Sequence, residues 1–521
     1  MPEYLSPGVY IEEVSSGPRP IEGVGTAMAA FVGFAAAGPV NQPVLVTSWT
    51  QYVEKFGRLD ESGRRNPHMD GAYLSHAVYG YFLNGGGRCY VTRIPQQSDG
   101  KAPQMPRLEL PTRASKALTS LIVTPKSETA GDIQVEIGPP VGENPPPEAF
   151  TVKISMGEIK EVYENVSFNK RPKDGTSYVV EKINSSSTLV QVAEGPATGS
   201  LADRVPEFGM SVIKPPAPLA PARVDATSFV GSAAERSGVE GLEIAEDVTM
   251  ICAPDLMAAY QSGAITKEGV KAVQLAMIAH AERMQDRMVI LDPLPGLTPQ
   301  QVKQWRERDT NYDSKFAVLY YPWIKIMGPD GKTEMEIPPC GHIAGIWARN
   351  DNTRGVHKAP ANEVVQGALG PAIAITKGEQ DVLNPIGVNC IRSFTGMGLR
   401  VWGARTLSSD AAWRYVNVRR LFNYVEKSIE RGTQWVVFEP NDPNLWARVK
   451  RDVEAFLTVC WRDGMLFGLT PREAFYVKCD EELNPPEVRD QGKLIIEVGL
   501  APVKPAEFVI FRFSQFAGGG A

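Results

Sequence analysis

Apolar residues recur along the chain in two periods, and each change of period marks a new element. Over 70–83, Tyr73, Ala77 and Tyr81 share one helical face, and Gly85-Gly-Gly87 stops the helix. Cys89-Tyr-Val-Thr-Arg-Ile94 follows as a strand. Farther on, strands predicted at 248–252, 288–291 and 316–321 alternate with helices at 267–285 and 299–309. The first of these helices repeats Val270, Val273, Met277, Ala281 and Met284 at the 3.6 period. Apolar runs joined by helices of this length imply right-handed βαβ crossovers and a largely parallel sheet.

The last third reads differently. A helix over 413–431 carries Val418, Leu421, Phe422, Val425 and Ile429 and ends at Gly432, and Trp435-Val-Val-Phe438 reads as a strand. Asp442-Pro443 is an N-cap followed by a first helical residue, and Gly464 is the stop. Between them Trp446, Val449, Val453, Phe456, Leu457 and Cys460 form an apolar stripe. Strands are predicted at 474–478, 493–498 and 507–513.

Composition changes the picture once. Residues 101–224 hold sixteen of the 42 prolines, none of the nine tryptophans and none of the six cysteines. Alternating segments at 133–137, 151–155, 178–180 and 188–192 lie inside, so this region is expected to be a β-rich insertion with Pro-rich, semi-rigid exits.

Charge and motifs mostly exclude. Lys+Arg at 54 against Asp+Glu at 60 leaves a net charge of -6, with no basic stripe for nucleic acid. The scattered cysteines fit neither a disulfide framework nor a zinc site and point to a reducing compartment. The N-terminus lacks the features of a signal peptide, and Gly25–Ala37 is too short to span a membrane, so cytoplasmic synthesis is expected. No G-x-G-x-x-G opens a helix, since Gly396, Gly398 and Gly403 have the wrong spacing, and there is no phosphate loop. His280 reads as a core histidine, and Cys340-Gly-His342 lacks a second ligand pair. Asp255 and Asp292 follow strands at the carboxyl edge, where they would hold a cation or serve as turn residues. Neither G-x-S-x-G nor H-E-x-x-H occurs, so neither catalysis nor a cofactor is expected.

The unusual chemistry is at the two ends. Gly8-Val-Tyr-Ile-Glu-Glu-Val14 is a β-favouring segment set off by Pro7 and Pro18. Phe508-Val-Ile-Phe-Arg-Phe513 is apolar on both faces and wants neighbours on every side. Either both tuck into this chain's own sheet, or they complete a sheet in another subunit.

Several segments, in order, resemble the contractile tail sheath proteins of phages and phage-tail-like injection particles. They include Ser6-Pro-Gly-Val-Tyr-Ile-Glu-Glu-Val14, Arg19-Pro-Ile-Glu-Gly-Val-Gly-Thr26, Ala30-Phe-Val-Gly33 and Phe82-Leu-Asn-Gly-Gly86. Others are Gly341-His-Ile-Ala-Gly345, Arg354-Gly-Val-His-Lys-Ala-Pro-Ala-Asn362, Asn384-Pro-Ile-Gly-Val-Asn389, Tyr415-Val-Asn-Val-Arg-Arg420 and Gly499-Leu-Ala-Pro-Val-Lys-Pro-Ala-Glu-Phe508. The resemblance spans nearly the whole chain outside 101–224.

It implies a non-enzymatic subunit that polymerises with itself, in hexameric rings stacked around an inner tube protein. Baseplate and cap proteins would be further partners, with no nucleic acid and no membrane insertion. Contraction would be a collective rigid-body rearrangement. Carried onto this sequence, Val9, Tyr10 and Ile11 would form one exchanged strand, and Phe508, Val509, Ile510, Phe511 and Phe513 the other. Arg448, Lys450 and Arg451 would face carboxylates on the tube, or else form a solvated basic face.

The expected fold class is α/β: a mainly parallel-sheet α/β core, an inserted β-rich domain, and a C-terminal α+β domain bearing exchanged terminal strands. The expected division is an arm at 1–22, a discontinuous core at 23–100 and 225–380, the insertion at 101–224, a tube-facing domain at 381–500 and an arm at 501–521. Competing readings are a sheath-end cap or baseplate-associated homologue, and an α/β ligand-binding or enzymatic domain built on Asp255 and Asp292.

Overall fold

Strands buried on both faces need cover from helices on both sides, and the apolar runs satisfy this in a nine-stranded sheet. The computed structural model describes residues 20–95, 105–129, 131–171, 175–214 and 224–512. Val9, Tyr10, Ile11 and Phe513 lie outside the described residues. Contacts divide the chain into two units, Ala27–Asn352 with Pro360–Arg414, and Thr353–Ala359 with Met1–Thr26 and Tyr415–Ala521.

In the first unit the sheet strands are β1 (Ala29–Gly33), β2 (Val44–Val46), β3 (Cys89–Arg93), β4 (Met250–Cys252), β5 (Met288–Leu291), β6 (Ala317–Tyr321), β7 (Glu363–Val364), β8 (Val388–Phe394) and β9 (Gly398–Val401). Their order is β7-β9-β8-β6-β5-β4-β1-β3-β2. The five interior pairings from β8 to β3 are parallel, and antiparallel strands close both edges. Every residue of β1, β4, β5 and β6 is buried.

Helix α1 (Leu74–Leu83), α2 (Lys267–Met284) and α3 (Cys340–Arg354) belong to this unit's helical layers. Thr266 caps α2 by accepting from the Gly269 N–H, and Val270, Val273, Met277 and Ala281 are buried as their spacing predicts. The helix predicted to start at Pro299 has a full capping box between Thr298 and Gln301, then widens into a π turn over Trp305–Thr310. Where α1 and α3 cross, their backbones nearly touch. A Cβ on Gly341 would lie 2.3 Å from the Ala77 carbonyl oxygen, and one on Gly345 2.4 Å from that of Tyr81.

Residues 105–214 fold around their own core of Leu121, Val123, Val135, Phe150, Val152, Ile154, Ile183 and Val190. Five strands form one sheet and three another, with the helix Val179–Ser186 beside them. A short hairpin outside this region, Arg58–Leu59 with Arg65–Asn66, keys into it. Leu59 joins that core and bridges to Thr129, Arg58 Nε donates to the Thr129 carbonyl at 2.8 Å, and Glu158 N donates to the Glu61 carbonyl at 3.0 Å. Arg93 at the end of β3 meets Glu128 at 2.6 Å, with both side chains largely buried.

The second unit packs α4 (Val416–Gly432) and α5 (Pro443–Arg462) with a hairpin of β10 (Phe475–Lys478) and β11 (Glu497–Leu500). Leu421, Val425, Trp446, Val449, Val453, Leu457, Cys460, Ala474 and Val477 form its core. Asp442 caps α5 by accepting from the Leu445 N–H, with Pro443 in the first turn.

Four expectations are corrected. The expected C-terminal domain, 381–500, loses its first part: residues up to Arg414 belong to the sheet unit, where β8 and β9 extend the central sheet with Val388 opposite Leu319. Trp435–Phe438 is not a strand: Gln434–Val436 is a 3-10 turn and Phe438 has a left-handed backbone, φ 68°. Of the residues expected as a strand at 178–180, only Tyr178 lies in one, closing the two-residue strand Ser177–Tyr178, and Val179 already opens the helix. Glu507–Arg512 forms no strand within this chain.

Candidate assembly surfaces

The β10–β11 hairpin pairs Phe475 with Leu500 and Lys478 with Glu497, and it takes no third strand among the described residues. A two-stranded sheet is marginal alone; here Val477 anchors it to α5 while Tyr476 faces outward. After β11 the chain stays tied down for a few residues. Phe467 N donates to the Ala501 carbonyl at 2.7 Å, Asn417 Nδ2 donates to the Val503 carbonyl at 3.1 Å, and Tyr415 Oη donates to Glu507 at 2.9 Å. Beyond Glu507 this burial ends. Phe508, Val509, Ile510 and Phe511 are 72, 69, 76 and 77 % exposed, an apolar run with most of its surface in water.

On α5, Arg448 and Arg451 project from one exposed face together with Asn444, Ala455, Val459 and Arg462. Lys450 does not join them: it lies on the flank of the helix, half-buried, 4.0 Å from Glu454. Arg448 stacks 4.6 Å over the Trp435 ring and sits 3.6 Å from Glu439. Arg451 is 3.4 Å from Asp452. The Arg448–Glu439 pair is exposed on both sides and contributes little to folding, so that guanidinium can be redirected at small cost, whereas the carboxylate facing Arg451 is buried.

The acidic sheet edge has another use. Asp255 is fully buried, and its carboxylate accepts from Phe34 N at 2.5 Å, from Leu74 N at 3.3 Å and from Tyr73 N. It thereby caps the first turn of α1 from a neighbouring strand end. Asp292 does the same for α3, accepting from Cys340 N at 3.0 Å. Burial pushes both carboxyls up to about 7 against the pull of these N–H bonds. Their oxygens are turned to backbone donors. Among the described residues no group of three or more His, Cys, Asp or Glu is fit to hold a metal.

Three of the five histidines meet near the α1–α3 crossing. His68 stacks on His76 with centroids 4.5 Å apart, and His342 is buried with Nδ1 unpartnered. Burial, and then the charge of a neighbouring histidine (His68 beside His76, and His76 beside His342), lower His76 and His342 to about 4. A histidine held neutral contributes stability above its unfolded pKa of about 6.5, and that contribution is lost as pH falls toward 4. Asp255 and Asp292 act in the opposite sense, because their burial penalty is lifted as pH drops below 7. The change is therefore best read as a difference between proteins. From pH 7 to pH 5, urea unfolding should show His342→Met gaining about 2 kcal/mol on the parent. An equal response of both proteins would show that His342 is not held neutral.

The sequence reading missed one exposed feature. Val437 and Phe438 stand out from the turn before α5, Phe438 wholly in solvent. Nothing local in the sequence announces a left-handed phenylalanine; a strand-like run of four apolar residues hides it.

A nine-stranded mixed sheet with a keyed β-rich module in one unit, and two helices, a hairpin and an exposed apolar segment in the other, define a mixed α/β class of protein. Residues 238–407 match the phage tail sheath protein central domain and residues 408–516 the phage tail sheath C-terminal domain. This chain belongs to the phage tail sheath protein family. It is 24% identical over 524 residues to the tail sheath protein of Burkholderia phage BcepMu, covering 97% of this chain and 95% of that protein. It is 30% identical over 181 residues to the tail sheath protein of Vibrio phage KVP40, but these are 34% of this chain and 26% of that one. The cryo-EM structure of the anti-feeding prophage helical sheath in the contracted state shares the fold, with TM-score 0.56, 24% identity and coverage of 98% and 100%.

Proposed function

We propose that this chain is the repeating subunit of a contractile sheath, assembled as stacked hexameric rings around an inner tube and bounded by baseplate and cap proteins. The observation that carries this reading is that the hairpin β10–β11 takes no third strand among the described residues while Phe508, Val509 and Ile510, in an apolar run, are largely exposed. Strand addition satisfies both needs at once: main-chain hydrogen bonds for the hairpin edge and burial for the segment. Val9, Tyr10 and Ile11 are assigned to the second added strand. Contraction is then a change of rigid-body packing while the strands stay joined, and it needs no catalysis and no cofactor. No helix among the described residues is long and apolar enough to cross a membrane.

Negative-stain electron microscopy of the chain, alone and with the tube protein from the same gene cluster, tests the reading. Striated hollow tubes support it, and monomers in both samples reject it. Within that assembly the basic face of α5 is assigned to the tube, where rim charges steer docking and set register. Reversing Arg448, Lys450 and Arg451 to Glu should cut co-assembly with the tube at least tenfold while empty sheaths still form. Lys450 should matter least, because it leaves the face that Arg448 and Arg451 share.

A further inference from the structure

We infer that Phe438 is an aromatic anchor by which the α5 face seats on the inner-tube subunit, in an apolar pocket bordered by carboxylates. The inference rests on the tube-facing assignment of α5 and adds the residue that would supply most of its affinity.

Three observations converge on Phe438. Its ring is wholly in solvent beside the exposed Val437, so neither side chain serves this chain's core. Its backbone is left-handed, φ 68°, an outlier for a bulky residue that glycine would adopt freely. The turn that holds it is nonetheless pinned. Asn441 Nδ2 donates to the Lys493 carbonyl at 2.8 Å, Trp446 Nε1 donates to Asn441 Oδ1 at 2.7 Å, and Glu439 N donates to the Val436 carbonyl at 3.1 Å.

An exposed aromatic held at a strained angle by a fixed turn is preorganised for a partner, since strain of this kind persists where the surroundings impose it. Aromatic residues of this sort dominate binding energy when a partner pocket removes them from water. The partner's chemistry follows from the neighbours. Arg448 stacks on Trp435 and meets Glu439, the residues flanking this turn, and Arg451 continues the same face. A surface complementary to both is apolar at its centre and acidic at its rim. On the tube-facing assignment of α5 proposed above, the occupant with that chemistry is the inner-tube subunit.

The test compares the parent with Phe438→Gly, Phe438→Ser and Phe438→Tyr, each expressed with and without the tube protein from the same gene cluster. Phe438→Gly should melt no lower than the parent, form empty sheaths as readily, and retain the tube at least tenfold less. Phe438→Ser should lose the tube in the same way, and Phe438→Tyr should keep it. Unchanged tube retention in the Gly and Ser variants overturns the inference. So does loss of empty sheaths, which would give Phe438 to a sheath–sheath contact, and so does a lower melting temperature, which would give it to folding. A parent that forms no tubes in either sample fails the sheath reading itself, a result separable from all of these.

Discussion

Replacing Ile510 and Phe511 together with aspartate abolishes polymerisation while the subunit stays folded; that is the expected result, and the structure gives its size. Both side chains are about three-quarters exposed in the single chain, so the substitution removes little from the subunit. In a strand added to a neighbour they would be buried, at about 1.5–3 kcal/mol each. Two carboxylates in the same place lose that gain and add a desolvation cost of several kcal/mol. A deficit of about 5 kcal/mol per joint lowers association by roughly 10³–10⁴. Sedimentation and electron microscopy should show monomers, with circular dichroism and melting temperature close to the parent. Long tubes from the double variant would remove Phe508–Phe511 from the joint.

The second large effect is internal. Asp255→Ala should cost about 4 kcal/mol, because three backbone N–H groups, from Phe34, Tyr73 and Leu74, lose their acceptor inside the protein. Asp255→Asn should cost about 2 kcal/mol: one amide oxygen replaces two carboxylate oxygens, and the NH₂ group is turned toward a donor. The ordering Ala, Asn, parent in urea midpoint checks the capping role. A cation site would predict a different pattern, with both variants alike and the parent stabilised by divalent metal.

Where the sequence carried a local pattern, the structure follows it. The buried runs of β4, β5 and β6 and the stripes of α2 and α5 lie within a residue or two of their expected positions, because spacing and capping are properties of neighbouring residues. Misreadings arise where distant residues decide. β8 belongs to the central sheet because Val388 pairs with Leu319, and nothing near Val388 records that partner. Asp255 looks like a turn residue from its neighbours, while one of its donors, Tyr73, lies 182 positions away. The segment after Glu507 has the composition of a strand and forms none among the described residues, since pairing needs a second strand that local composition does not record. Phe438 shows the converse failure: four apolar residues suggested a strand where the backbone instead makes a turn.

The hairpin at 58–66 that enters the core of residues 105–214 makes that module a handle rather than a pendant. With Leu59 in its core and Arg93 locked to Glu128, the module cannot tumble on its own. Its exposed loop, Val141–Asn144, is therefore a place from which orientation can be read. A dye fixed at Glu143, or a small epitope spliced there, would turn with the central sheet and serve as a clock hand for the whole unit. Under the proposed function, such a label would make any rearrangement of that unit within a sheath visible in single particles.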